Sequence, residues 1–110
     1  MRIIKPRYNK YHNKPTIING IRFASKREAS RFIELKIMEI AGAISNLRLQ
    51  PVYKFPMGFS YRADFEYIET GNLIAEDVKG VETDVFKLKK KCMEYFYRGN
   101  MGMVELRVLK

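Results

Sequence analysis

Residues 61–80 constrain this chain more than any other stretch. Two β-rich runs flank Thr70-Gly71-Asn72, a composition that favours a tight turn, so the segment reads as a hairpin. Strand alternation then sorts the side chains. On the second run Asp77 and Lys79 share a face with Leu73 and Ala75, while Glu76 and Val78 point the other way. On the first run Asp64 lies with Arg62 and Glu66, opposite Tyr61, Ala63, Phe65 and Tyr67. One hairpin therefore brings Asp64, Asp77 and Lys79 together. A one-residue register slip would put Glu76 in place of Asp77; alternation favours Asp77, because Lys79 has to share its face.

Two carboxylates and an ammonium suit a particular chemistry. Mg²⁺ takes oxygen ligands, commonly one or two carboxylates, and leaves its other positions to water and phosphate oxygens. A lysine one strand period beyond the second carboxylate can orient a nucleophilic water or offset charge on a phosphoryl group. The same residues also describe a solvated hairpin with a cross-strand ion pair, and Asp-x-Lys alone is too common to decide between them.

Charge narrows the class of partner. The chain of 110 residues carries 21 Lys plus Arg against 12 Asp plus Glu, a formal net charge of +9, so a polyanionic partner is expected. Nucleic acid fits better than a membrane surface, because no apolar run approaches the ~20 residues of a membrane span. With 46% hydrophobic residues, 13% of all residues being aromatic, the chain is expected to fold as one domain over residues 15–110, preceded by a basic arm at 1–14. No signal-peptide pattern follows Met1, and the single Cys92 forms no internal disulfide, so a cytoplasmic setting is expected.

The arm contains Arg2, Lys5, Arg7, Lys10 and Lys14, no acidic residue, and interleaved Tyr8, Tyr11 and His12. It suits phosphate contact and stacking, or is a frayed basic terminus. Asn19-Gly20 between β-branched and aromatic residues predicts a short hairpin with a type I′ turn. Ser25 opens a helix to about Ala41 with Gly42 as its stop, its core stripe being Ala29, Phe32, Ile33, Ile37 and Ile40. Ser25 and Glu28 match a capping box, which gives Glu28 a structural role. Lys26, Arg27 and Arg31 near that helix start are candidate phosphate contacts or solvated side chains.

Ile44 to Phe55 reads as a strand interrupted at Gln50-Pro51 by an edge, a bulge or a strand end. Thr83 and Asp84 then open a second helix to about Tyr97 with a buried stripe of Val85, Leu88, Cys92, Tyr95 and Phe96. Its opposite side carries Lys87, Lys89, Lys90 and Lys91, of which Lys87 and Lys90 are the candidate nucleic-acid contacts. Met103 to Leu109 alternates as a final strand. The order after the first hairpin is α, β, β, β, α, β: an α/β fold with a mixed central sheet flanked by helices.

Asp64, twelve intervening residues and then Asp77-Val78-Lys79-Gly80 resemble the active-site signature of the PD-(D/E)XK, restriction-endonuclease-like nucleases. Phe23-Ala24-Ser25-Lys26-Arg27-Glu28-Ala29 looks like the helix that supplies a further acidic residue in many members. With Leu49-Gln50-Pro51 and Tyr61-Arg62-Ala63-Asp64-Phe65, the chain is similar over about residues 10–97 to a family of small phage and prophage proteins. Ala63 departs from the pattern, standing where a proline would precede the first aspartate.

The resemblance implies a restriction-endonuclease-like αβββαβ core and a metal-dependent endodeoxyribonuclease. Asp64, Asp77, the Val78 carbonyl and Glu28 would hold Mg²⁺ or Mn²⁺, and Lys79 would position or help activate the attacking water. It also implies structure-selective cutting of branched DNA such as a Holliday junction, in phage recombination or DNA processing, with a homodimer for symmetric cleavage and a phage replication or recombination protein as a further partner. The expectation from another class is a non-catalytic nucleic-acid-binding module on a nuclease-like fold.

Overall fold

The structure, a computed structural model, describes residues 15–100 and 103–110. The basic arm, with Lys10 and Lys14, lies outside the described residues. Two compact units, Met1–Glu34 and Leu35–Lys110, divide the chain within its first helix.

In the first unit, β1 (Thr16–Ile18) and β2 (Ile21–Phe23) pair antiparallel around Asn19 and Gly20, whose φ values of 51° and 81° are those of a type I′ turn. Helix α1 (Lys26–Ile40) starts after Ser25, whose hydroxyl accepts from the Glu28 amide at 3.2 Å. Glu28 Oε1 reaches back to accept from the Ala24 amide at 3.1 Å. Two N–H groups that helix geometry leaves orphaned are thereby satisfied. Ser25→Ala and Glu28→Ala are each expected to cost about 1 kcal/mol of stability, a typical cap loss, measured by urea unfolding. A Glu28 without this structural role would leave the midpoint unchanged.

The second unit contains a four-stranded sheet in the order β3 (Ser45–Leu49), β6 (Phe65–Glu69), β7 (Asn72–Val78), β8 (Val104–Leu109). The first three strands run antiparallel and β7 pairs parallel with β8. A parallel neighbour cannot be joined by a tight turn. The chain therefore crosses over through α2 (Asp84–Met93) and a π-helical segment, Glu94–Asn100, that continues it. Thr83 caps α2, its hydroxyl accepting from the Phe86 amide. A separate two-stranded sheet, β4 (Val52–Lys54) with β5 (Ser60–Arg62), packs with α2 in the core: Tyr53, Phe55 and Tyr61 lie with Ala63, Ala75, Phe86, Met93 and Val104. The fold is α/β with a mixed sheet, and the elements of the larger sheet follow the expected order α, β, β, β, α, β.

Three expectations need correction. Tyr61 to Tyr67 is not one strand, and neither is Ile44 to Phe55. Both runs leave the larger sheet for the smaller one at a shared corner, where Pro51 lacks an amide, Gln50 takes a φ of 51° and the Ala63 amide donates to the Pro51 carbonyl at 3.1 Å.

The α1 stripe is also displaced. Ala29, Phe32 and Leu35 are buried, whereas Ile33, Ile37 and Ile40 are 45%, 61% and 80% exposed. The inward arc runs through two acidic residues, Glu28 and Glu39, which no hydropathy pattern would place there. Each occupies that position because a backbone amide meets its carboxylate, Ala24 for Glu28 and Leu47, at 3.0 Å, for Glu39. The Leu47 amide also holds the Glu39 carboxyl below the usual glutamate range.

In α2, Phe86 and Met93 are the buried residues, seven apart on one face. Val85, Leu88 and Tyr95 are 62%, 58% and 63% exposed, and Cys92 is half-buried. The π-helical segment turns Phe96 and Tyr97 toward the aromatic core, where Phe96 packs on Phe55 and Tyr97 on Tyr53 and Phe55. The Tyr97 hydroxyl donates to the Lys54 carbonyl at 2.6 Å.

Candidate active site

The β6–β7 hairpin closes over Thr70 and Gly71, with φ values of 47° and 80°, and its register pairs Phe65 with Glu76. Just before β6, Asp64 sits at the corner between the sheets. Its amide donates to the Glu76 carbonyl at 3.1 Å and its carbonyl accepts from the Gln50 amide at 2.9 Å, so the backbone is held from both sides. Its side chain turns to β7, where Oδ2 accepts from the Val78 amide at 2.7 Å.

Asp77 is 2% exposed. Its Oδ2 accepts a hydrogen bond from the Tyr61 hydroxyl, and Lys79 Nζ stands 3.7 Å from the same oxygen. Burial pushes the Asp77 carboxyl up to about 7. The Tyr61 hydrogen bond and the Lys79 ammonium oppose that rise, while a hydrogen bond with the Asp64 side chain and its charge reinforce it. Burial, and then the hydrogen bond to Asp77, drive the Tyr61 phenol far above the ordinary tyrosine range, so it remains a donor. Lys79 is fixed at both ends: its amide donates to the Leu109 carbonyl at 2.8 Å, and Nζ lies 4.9 Å from the Phe86 ring centroid.

Asp64, Asp77 and Lys79 thus meet. Glu76 does not join them; adjacent strand residues face opposite sides, and its Oε1 accepts from the Tyr67 hydroxyl at 2.6 Å with the side chain fully buried. Glu66, also buried, accepts from the Tyr53 hydroxyl at 2.6 Å and from Arg48 at 3.0 Å. Val78 contributes its amide to Asp64. Glu28 lies in the other unit, with one carboxylate oxygen on the Ala24 amide.

Tyr61 is the site residue that alternation missed. Counted as part of β6 it faces away from Asp77, but β5 belongs to the other sheet, which frees it from that parity. Phe86 beneath Lys79 was likewise legible only as the position after a helix cap.

Two hydrogen-bonded carboxyls, one of them protonated near neutrality, share a proton where a cation of higher charge can replace it. That donor set fits a hard divalent cation, with Lys79 beside it for an anionic ligand. Among the described residues no group of three or more His, Cys, Asp or Glu is placed to hold a metal ion, so such an ion would keep positions for water and ligand oxygens.

The candidate nucleic-acid contacts divide. Lys26, Arg27 and Lys87 are exposed. Arg31 pairs with Glu34 at 3.3 Å and Lys90 stands 3.9 Å from Glu82. No helix among the described residues is long and apolar enough to cross a membrane.

Residues 8–110 match the model of a family described as "Protein of unknown function (DUF1064)". No curated protein and no solved structure matches the chain significantly. With nearly its whole length matched, the chain belongs to that family.

Proposed function

We propose that this member of the DUF1064 family is a metal-dependent endodeoxyribonuclease of the PD-(D/E)XK type. The observation that carries the reading is the meeting of Asp64, Asp77 and Lys79 at one end of β7, with the two carboxyls hydrogen-bonded to each other and Lys79 on the second. The element order α, β, β, β, α, β and the net charge of +9 agree with it.

Asp64 and Asp77, with the Val78 carbonyl, would hold Mg²⁺ or Mn²⁺. The ion supplies charge neutralisation at the scissile phosphate and a more acidic water. Asp64 is pinned by the Val78 amide, and Asp77 by Tyr61, so both present their remaining oxygens in fixed directions. Lys79, held over Phe86, orients the attacking water and offsets charge on the phosphoryl oxygens. The water oxygen bonds to phosphorus, the bond to the 3′ oxygen breaks, and that oxygen takes up a proton. The products are a 5′-phosphate and a 3′-hydroxyl.

Branched DNA is the preferred substrate class, because a chain of 110 residues has little surface for reading a long sequence. The experiment is cleavage of labelled four-way junction, nicked, linear and single-stranded DNA with Mg²⁺, Mn²⁺ or EDTA. Metal-dependent cutting that Lys79→Ala lowers by about 10²-fold or more supports the reading. Tight DNA binding without cutting of any substrate replaces it with a binding module.

A further inference from the structure

Both helices expose an apolar stripe, and the two differ in what flanks them. On α1, the charges beside Ile33, Ile37 and Ile40 are already paired within the helix, Arg31 with Glu34 and Lys36 with Glu39. On α2, Val85, Leu88, Cys92 and Tyr95 recur at spacings of three, four and three residues, the spacing that keeps side chains in one seam. Three of them are more than half exposed. The solvent edge of this seam carries Asp84 in the first turn and Lys91 in the last, both exposed. Among the described residues neither makes an ion pair.

We propose that this face of α2 is a self-association surface, on which two copies of the chain cross antiparallel about a two-fold axis. A two-fold contact uses the same patch twice, so the patch must complement itself. With an acid at one end of the edge and a base at the other, antiparallel crossing sets Asp84 of each copy beside Lys91 of the other, twice. Parallel crossing sets like charges together instead. Val85, Leu88 and Tyr95 lose their exposed apolar area in the contact, and Cys92 lies between them.

Other occupants fit less well. The 1–14 segment is uniformly basic and has no acid to meet Lys89 or Lys91. A phosphate backbone offers nothing to a seam of Val, Leu and Tyr. One helix face is small beside a standard interface of ~800 Å² per partner, so the dimer dissociates on dilution. The inference stands apart from the nuclease reading and does not need it.

Sedimentation velocity across a concentration series tests it, with circular dichroism to confirm folding. Wild type is expected to move from monomer to dimer with concentration. Leu88→Glu is expected to weaken association by at least about tenfold, the equivalent of 1.4 kcal/mol. Asp84→Lys and Lys91→Asp are each expected to be monomeric alone and to form a mixed dimer when combined, since the mixture restores both charge pairs. The mixing result does not depend on any loss of helix stability. A wild type that stays monomeric at its highest soluble concentration overturns the proposal. So does a dimer that Leu88→Glu leaves intact, or a mixture of the two charge variants that gains no dimer.

Discussion

Asp77→Asn is expected to abolish metal-dependent cleavage of DNA, by at least about 10³-fold, and to make the metal-free protein more stable at pH 8. The two effects share a cause. Folding carries the Asp77 carboxyl from an ordinary value of about 4 to about 7, chiefly by burial. The native state therefore holds this proton more tightly than the unfolded chain does. The stability that the protonated group contributes is fully present below about pH 4. It is lost as pH rises to about 7, at about 1.4 kcal/mol per pH unit, and changes no further above that.

Asparagine carries no such charge, so that slope disappears from the Asp77→Asn protein. Thermal melts of both proteins from pH 4 to pH 8, with EDTA and with Mg²⁺, read this directly. Mg²⁺ is expected to raise the wild-type midpoint more at pH 8 than at pH 5, since it competes with the proton for the same oxygens. A wild-type slope that survives in Asp77→Asn would place the titrating group elsewhere.

Phe65→Ala is expected to cost about 3–5 kcal/mol, the range for emptying a large buried aromatic site. Phe65 is fully buried, opens β6, and pairs with Leu49 on one side and Glu76 on the other. Domains of this size are stable by only about 5–15 kcal/mol, so the loss consumes much of the total. It also removes the packing next to Asp64, so the catalytic rate is expected to fall even where the protein remains folded. Val52→Ala, at a position 52% exposed, is the comparison and is expected to stay within about 0.5 kcal/mol. Urea midpoints of the two variants check both values.

Features that depend on a few adjacent residues were legible in the sequence. Asn19-Gly20 and Thr70-Gly71 adopt the positive φ values that their turns require, and Ser25 and Thr83 cap the helices they precede. The meeting of Asp64, Asp77 and Lys79 was legible for the same reason, because one hairpin holds all three.

What failed was inference over longer range. The helical periodicity of Ile33, Ile37 and Ile40 is real, but burial follows the arc on which Glu28 and Glu39 find backbone amides. Strand parity misplaced Tyr61 because parity holds only within one sheet, and nothing in the run Tyr61 to Tyr67 announces a change of sheet. The proline at 51 marks that change on the other crossing, yet a proline fits an edge, a bulge or an end equally well.

That crossing has an evolutionary consequence. The chain leaves the larger sheet at Pro51 and returns at Ala63, and a hydrogen bond ties the two points together. Lengthening a loop whose ends are already fixed adds little closure entropy, about 0.6 kcal/mol per doubling. Pro56-Met57-Gly58, exposed at the far tip between β4 and β5, is therefore a place where relatives can accept extra residues and acquire new recognition surfaces. Asp64, on the fixed side of the tie, would keep its geometry while the loop diversified.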